Sequence, residues 1–324
     1  MKKLIKLSAI NFLIIIFLLL IIEITTRFVL HFNIGNSTAG LNERTQNLSY
    51  KPFVMFGPDW NRIFDEFETE KDYFTILIIG GSTAESFPEK IIEEEISGII
   101  QKNVRVLNAA NGGYNAIQEL IVLSVWGSKT NPDLIISLDG ANDLIHGLRN
   151  NEIGTFYLNP SYKLLLTKPY LSPFIWLLQN SQFYNSLVRL SARYKNFDSR
   201  NYDNVISNYI NIQKNIKLFS KSLNADHIAI LQPFHGFKNP LHDKEKAFKR
   251  YDYRKDIIKE LYNETHIRLM KLYNSSDTYY INGIELFQED PRWIFSDDVH
   301  FVDDVGYRVI ARKISDIIIN NKIK

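Results

Sequence analysis

The stretch from Phe74 to Phe87, FTILIIGGSTAESF, decides how the rest of the chain is read. Phe74 to Ile79 is a continuous apolar run of strand length, rich in β-branched residues. Such a run suits a strand buried on both faces, as in a parallel sheet covered by helices on either side. It ends in Gly80-Gly81-Ser82-Thr83. A turn of this composition can cradle a phosphate, close a plain loop or present a nucleophile. The phosphate reading fails, because neither G-x-x-x-x-G-K-[ST] nor G-x-G-x-x-G follows the strand. The residues of the turn alone leave the other two open.

Outward from this strand the pattern alternates. Pro88 to Ile100 reads as a helix with proline at its start and glutamates in its first turns. Val104 to Leu107 reads as a second strand, Asn115 to Trp126 as a helix capped by Asn115, and Leu134 to Leu138 as a third strand. Val205, Tyr209, Ile212, Ile216 and Phe219 share one helical face. His227 to Leu231 and Thr278 to Ile281 supply a fourth and fifth strand. Lys244 to Tyr273 reads as one long charged helix or a pair, and Asp304 to Ile319 as a closing helix. Repeated strand–helix–strand units predict an α/β fold, a three-layer α/β/α sandwich around a five-stranded parallel sheet. Ligand sites in such sheets form beyond the carboxyl ends of the strands.

The N-terminus differs in kind. Lys2, Lys3 and Lys6 precede a nearly unbroken apolar stretch from Leu7 to Ile22. A cleaved signal peptide needs a small-residue site after its apolar core, and Glu23-Ile24-Thr25-Thr26-Arg27 is a poor one. Residues 1–30 are therefore expected to be a retained single-pass anchor in the cytoplasmic membrane. The lysines hold its start inside, and the remaining chain lies in the periplasm or outside the cell. Residues 31–71 are expected to be a stalk leading into the domain, and residues 72–324 the domain itself. An aromatic-rich helical insertion is expected at about residues 146–202.

Among the chain's 324 residues the formal net charge is +2, evenly spread, which does not make a nucleic-acid surface. There is no cysteine, so disulfides, thiolate catalysis and thiolate zinc sites are excluded. The histidines show no H-E-x-x-H or related spacing, so no metal or cofactor is expected.

Four polar segments fall at or after the expected strand ends: Gly80-Gly81-Ser82-Thr83, Asn108 to Gly113, Asp139-Gly140-Ala141-Asn142-Asp143, and Asp297-Asp298-Val299-His300. Singly, each is more economically a turn, a loop or a surface ion pair. In this order on one sheet they resemble the sequence blocks of the SGNH hydrolases, the GDSL-type esterases and lipases. The resemblance spans residues 72–145 and 224–320. It places Ser82 at the block I serine, Gly113 at the block II glycine, Asn142 at the block III asparagine, and Asp297 with His300 at the D-x-x-H of block V. Gly81 stands where the family's signature has aspartate, and the adjacent Gly112 leaves the block II register open by one residue.

The resemblance implies an ester hydrolase acting through an acyl-enzyme on Ser82, with Asp297 and His300 completing a triad. The oxyanion hole would combine Ser82, Gly113 and Asn142. The residues make chemical sense of this, since a serine needs a base to take its proton and the base needs an orienting carboxylate. Asp143 is expected to be a structural partner within its turn, and most other histidines surface or packing residues. An exported site favours an O-acylated, especially O-acetylated, saccharide or cell-envelope polymer as substrate. Two alternatives stand beside it. The same triad can pass its acyl group to a sugar hydroxyl as an O-acyltransferase, or the fold can serve as a non-catalytic glycan-binding or assembly protein.

Overall fold

The computed structural model describes residues 2–33, 49–51, 53–67, 73–100, 102–150, 169–171, 174, 181–184, 186–187, 202–248, 255–273, 278–321 and 323. The chain divides into two compact units, Met1–Leu48 with Leu158–Asn196, and Ser49–Tyr157 with Phe197–Lys324.

The first unit contains helix α1 (Lys2–Asn33). Its segment Ile10–Arg27 has a mean hydropathy of 2.2 and none of it is buried, so by length and composition the helix can cross a membrane. The Glu23 carboxylate accepts from the Ser181 hydroxyl (2.8 Å) and from the backbone N–H groups of Gln182 (2.8 Å) and Phe183 (3.1 Å). Most of the aromatic-rich stretch, including Phe156, Tyr157, Tyr162 and Trp176, lies outside the described residues.

The second unit is built on β3 (Tyr73–Gly80), β4 (Asn103–Asn108), β5 (Leu134–Asp139), β6 (Asp226–Leu231) and β7 (Thr278–Ile281). All neighbouring pairs are parallel, in the order β4-β3-β5-β6-β7. This is the flavodoxin-like order, in which the chain first steps one way from β3 and then crosses back to β5. The five-stranded parallel sheet expected from the pattern is the one the chain forms.

Successive side chains of each strand point to opposite faces, so each strand feeds two cores. Ile76, Ile78, Ile136, Leu138, Ile228 and Ile230 pack against α4 (Glu89–Ser97) and α9 (Asp304–Asn321). Leu77, Ile79, Ile135 and Ala229 pack against α5 (Ala116–Val125), α6 (Ala141–Asn150), α7 (Tyr202–Ser222) and α8 (Lys255–Tyr273). Helix α5 starts at a full capping box, with Asn115 and Gln118 each accepting from the other's backbone N–H.

Three stretches take a different form from the one expected. Part of the stretch expected to be a stalk belongs to the domain, as the antiparallel pair β1 (Ser49–Lys51) and β2 (Met55–Gly57) and helix α2 (Trp60–Glu66). Val54, Trp60 and Phe64 are buried in the same core as α5, and the Gln118 side chain donates to the Val54 carbonyl (2.8 Å). Residues 146–150, which fall in the expected insertion, complete α6. The long charged helix starts at Lys255, eleven residues later than its pattern suggests. The reason lies in Glu245, which turns inward. Its carboxylate pairs with buried Lys238 and accepts from the N–H groups of His242, Ile294 and Phe295 (each 2.9 Å).

Candidate active site

Strand β3 delivers Ser82 to the carboxyl edge of the sheet, where α3 (Ser82–Glu85) begins. The turn is tight. A Cβ on Gly80 would lie 2.4 Å from both the Leu138 carbonyl oxygen and the Ala84 Cβ, so only glycine lets β3 pass β5 this closely. A Cβ on Gly81 would lie 2.8 Å from Asn142 Nδ2, so a side chain there would press on that amide.

Ser82 Oγ lies 2.7 Å from His300 Nε2, and His300 Nδ1 lies 2.7 Å from Asp297 Oδ2. A carboxylate can only accept, so Nδ1 carries the proton, and in the neutral ring Nε2 is free to accept from the serine hydroxyl. The other oxygen, Asp297 Oδ1, accepts from the backbone N–H groups of Val299 and His300 (both 2.9 Å). Partial burial alone would raise this carboxyl's pKa. The hydrogen bond and charge of His300 and the two backbone donors outweigh it and hold Asp297 down at about 2. The loop is fixed further by the Ser296 N–H donating to the His300 carbonyl (2.8 Å) and the His235 N–H donating to the Asp298 carbonyl (2.9 Å).

Asn142 is the second residue of α6, directly after β5. Its Nδ2 donates to the Tyr114 carbonyl (2.7 Å), which aims the amide across the turn at Gly81. Tyr114 is itself held, its hydroxyl accepting from Trp60 Nε1 (3.2 Å). Before α6, buried Asp139 accepts from the Tyr209 hydroxyl (2.5 Å) and Gln213 Nε2 (2.6 Å), while burial pushes its pKa up.

In the β4–α5 loop, a Cβ on Gly112 would come within 3.0 Å of Glu85 Oε2. It would sit 3.8 Å from Ser82 Cβ, whereas Gly113 turns the chain at φ +83°. Asp143 faces away from this chemistry, accepting from the Ala116 N–H at the start of α5 (3.1 and 3.2 Å). His235 is buried edge-on to Phe248 and Phe295 as a packing residue, and His146 is buried on α6. Thr83, named in the sequence only as part of its turn, surrounds the site as a hydrogen-bonding residue together with Gln232 and Tyr307, which carried no signal there. Among the described residues there is no group of three or more His, Asp or Glu side chains able to hold a metal ion.

A hydroxyl, an imidazole and a carboxylate linked in series at the strand ends of a parallel sheet form the arrangement of a serine-hydrolase triad. No protein-family model and no curated protein matches the chain. Solved structures do resemble it. One is an acetyl xylan esterase, at 12% identity and a TM-score of 0.43, with 75% of this chain and 99% of that one covered. A GDSL-like lipase from Bacteroides thetaiotaomicron is also 12% identical, with a TM-score of 0.45 and coverage of 80% and 97%. The lipase/acylhydrolase from Enterococcus faecalis is 14% identical, with a TM-score of 0.44 and coverage of 76% and 95%. At these values the likeness is one of fold alone.

Proposed function

We propose that the chain is a serine ester hydrolase of SGNH type, with Ser82 as nucleophile, His300 as general base and acid, and Asp297 as the orienting carboxylate. The observation that carries this reading is the unbroken series from Ser82 Oγ through His300 to Asp297, with both links at 2.7 Å. Ser82 Oγ attacks the ester carbonyl as its proton passes to His300 Nε2. The tetrahedral intermediate collapses, and His300 gives that proton to the departing alcohol. Water then attacks the acyl-serine by the same route, releasing the acid and restoring Ser82.

The negative oxygen formed in each half needs donors already in place. The Ser82 N–H opens a helix, where the first N–H groups have no intrahelical partner. The Asn142 amide has two hydrogens, and one bound to the Tyr114 carbonyl leaves the other for the oxyanion. A backbone N–H from the Gly112–Gly113 loop completes the set, reaching substrate past a residue without a side chain.

We also read α1 as a retained anchor that places the site outside the cytoplasmic membrane, supported by its apolar length and the three N-terminal lysines. That location favours an O-acylated saccharide or envelope polymer as substrate. The test is a panel of acetylated glycans, simple acyl esters and lipid esters, run with wild type and Ser82→Ala, with a glycan acceptor present to detect acyl transfer. Acetate release from glycans that vanishes in Ser82→Ala is the expected result. Activity surviving the substitution rejects the nucleophile, and cleavage of lipid esters alone rejects the substrate class.

A further inference from the structure

Three residues outside the triad form a hydrogen-bonded figure beside it whose directions are fixed. Gln232, at the end of β6, brings its Nε2 2.6 Å from Thr83 Oγ1. That nitrogen can only donate, so the threonine oxygen must accept. The single hydroxyl hydrogen of Thr83 is then committed elsewhere, and Thr83 Oγ1 lies 3.1 Å from the Val299 carbonyl oxygen. Thr83 is fully buried and Gln232 is 2% exposed, so water does not compete for these bonds. On the backbone side, the Tyr307 hydroxyl of α9 donates to the Thr83 carbonyl (3.1 Å), and the Gln232 N–H donates to the Asp139 carbonyl (2.7 Å).

The Val299 carbonyl belongs to the same peptide unit as the His300 N–H. That unit is gripped at both ends: its oxygen by Thr83, and its nitrogen by Asp297 Oδ1 at 2.9 Å. A planar peptide held at both ends cannot tilt. Tilting it would swing the His300 side chain, which starts from the next atom. Thr83 also follows Ser82 directly, so one residue is joined covalently to the nucleophile and by a hydrogen bond to the residue before the base.

We infer that Thr83, fixed in direction by Gln232, is a positioning residue that sets the separation of Ser82 from His300. The inference rests on the proposed reading of the triad. It explains why a polar residue sits fully buried at the start of α3, where an apolar residue of equal volume would fill the space.

The test uses the full chain and compares Thr83→Val, which keeps the shape and loses the hydroxyl, with Thr83→Ser, which keeps the hydroxyl. Misplacing reacting groups by a fraction of an ångström to 1 Å costs up to about 10²-fold. Thr83→Val is therefore expected to lower kcat about 10- to 100-fold with KM unchanged, and Thr83→Ser to restore most of it. Unchanged kcat in Thr83→Val, with only a lowered melting temperature, overturns the inference and leaves a structural residue. Equal loss in both variants overturns it too.

A readout independent of substrate is the downfield proton resonance of His300 Nδ1–H, followed in wild type and Thr83→Val. Its displacement in the variant supports the inference even if no ester is cleaved by wild type. An unmoved resonance counts against it. A wild type without esterase activity would reject the proposed function separately.

Discussion

Ser82 and His300 meet at 2.7 Å, yet opposite kinds of structure deliver them. Ser82 comes off β3, whose residues from Phe74 to Gly80 are all buried, directly into a helix. Its place is set by sheet register and by two glycines that let backbones touch. His300 comes from a loop whose only β pairing is the single bridge Phe295–Phe301. Its place is set by local hydrogen bonds: Asp297 three residues earlier, the Ser296–His300 backbone contact, and Thr83 from across the site. A nucleophile fixed by a core is hard to move by a surface mutation. A base fixed by a few polar contacts can be displaced one contact at a time, so substitutions should divide along this line.

The largest loss on the loop side is expected from Asp297→Asn. The amide still fits, but it can donate to Nδ1 and select the wrong tautomer, for a fall in kcat on the order of 10⁴-fold. Steady-state kinetics check this, and a fall of only a few-fold would mean that the backbone contacts suffice to hold His300. On the strand side, Asn142→Ala removes the proposed oxyanion donor without touching the triad, and a loss of about 10²- to 10³-fold in kcat is expected. Steady-state kinetics check this, and an unchanged kcat would remove Asn142 from the oxyanion hole.

The smallest expected effect concerns pH. Asp297 is held below its ordinary pKa of 3.8, at about 2. A depressed carboxyl contributes stability that is present above its unfolded pKa and lost as pH falls toward the folded one. Loosening of the His300 loop is thus expected only between about pH 4 and 2, and Asp297→Asn should remove that transition from an acid titration. Loosening of the loop already at pH 6 would contradict it.

The same division explains what the sequence made legible. β3 and β5 are readable because strands buried on both faces are predominantly apolar, and α5 because Asn115 announces its start. The polar segments nominated Ser82, Gly113, Asn142, Asp297 and His300 only through their resemblance, as a set, to the SGNH sequence blocks. Less legible was anything decided by distant partners. Glu245 looks like one more charge in a helix until Lys238, Ile294 and Phe295 are seen to claim it. Thr83 is quoted in the deciding stretch, but its partners lie 149 and 216 residues away and no local pattern announces them. The hairpin and α2 read as a stalk because three-residue strands and a seven-residue helix carry too few periods to register.

The central claim is that Ser82 is a nucleophile activated by His300, and trapping it tests this most directly. Treating the full chain with a serine-directed fluorophosphonate and mapping the adduct by mass spectrometry should find a single modification on Ser82. That modification should be absent in Ser82→Ala and strongly slowed in His300→Ala. Labelling elsewhere, no labelling of wild type, or equal labelling of the Ser82→Ala protein would contradict the account.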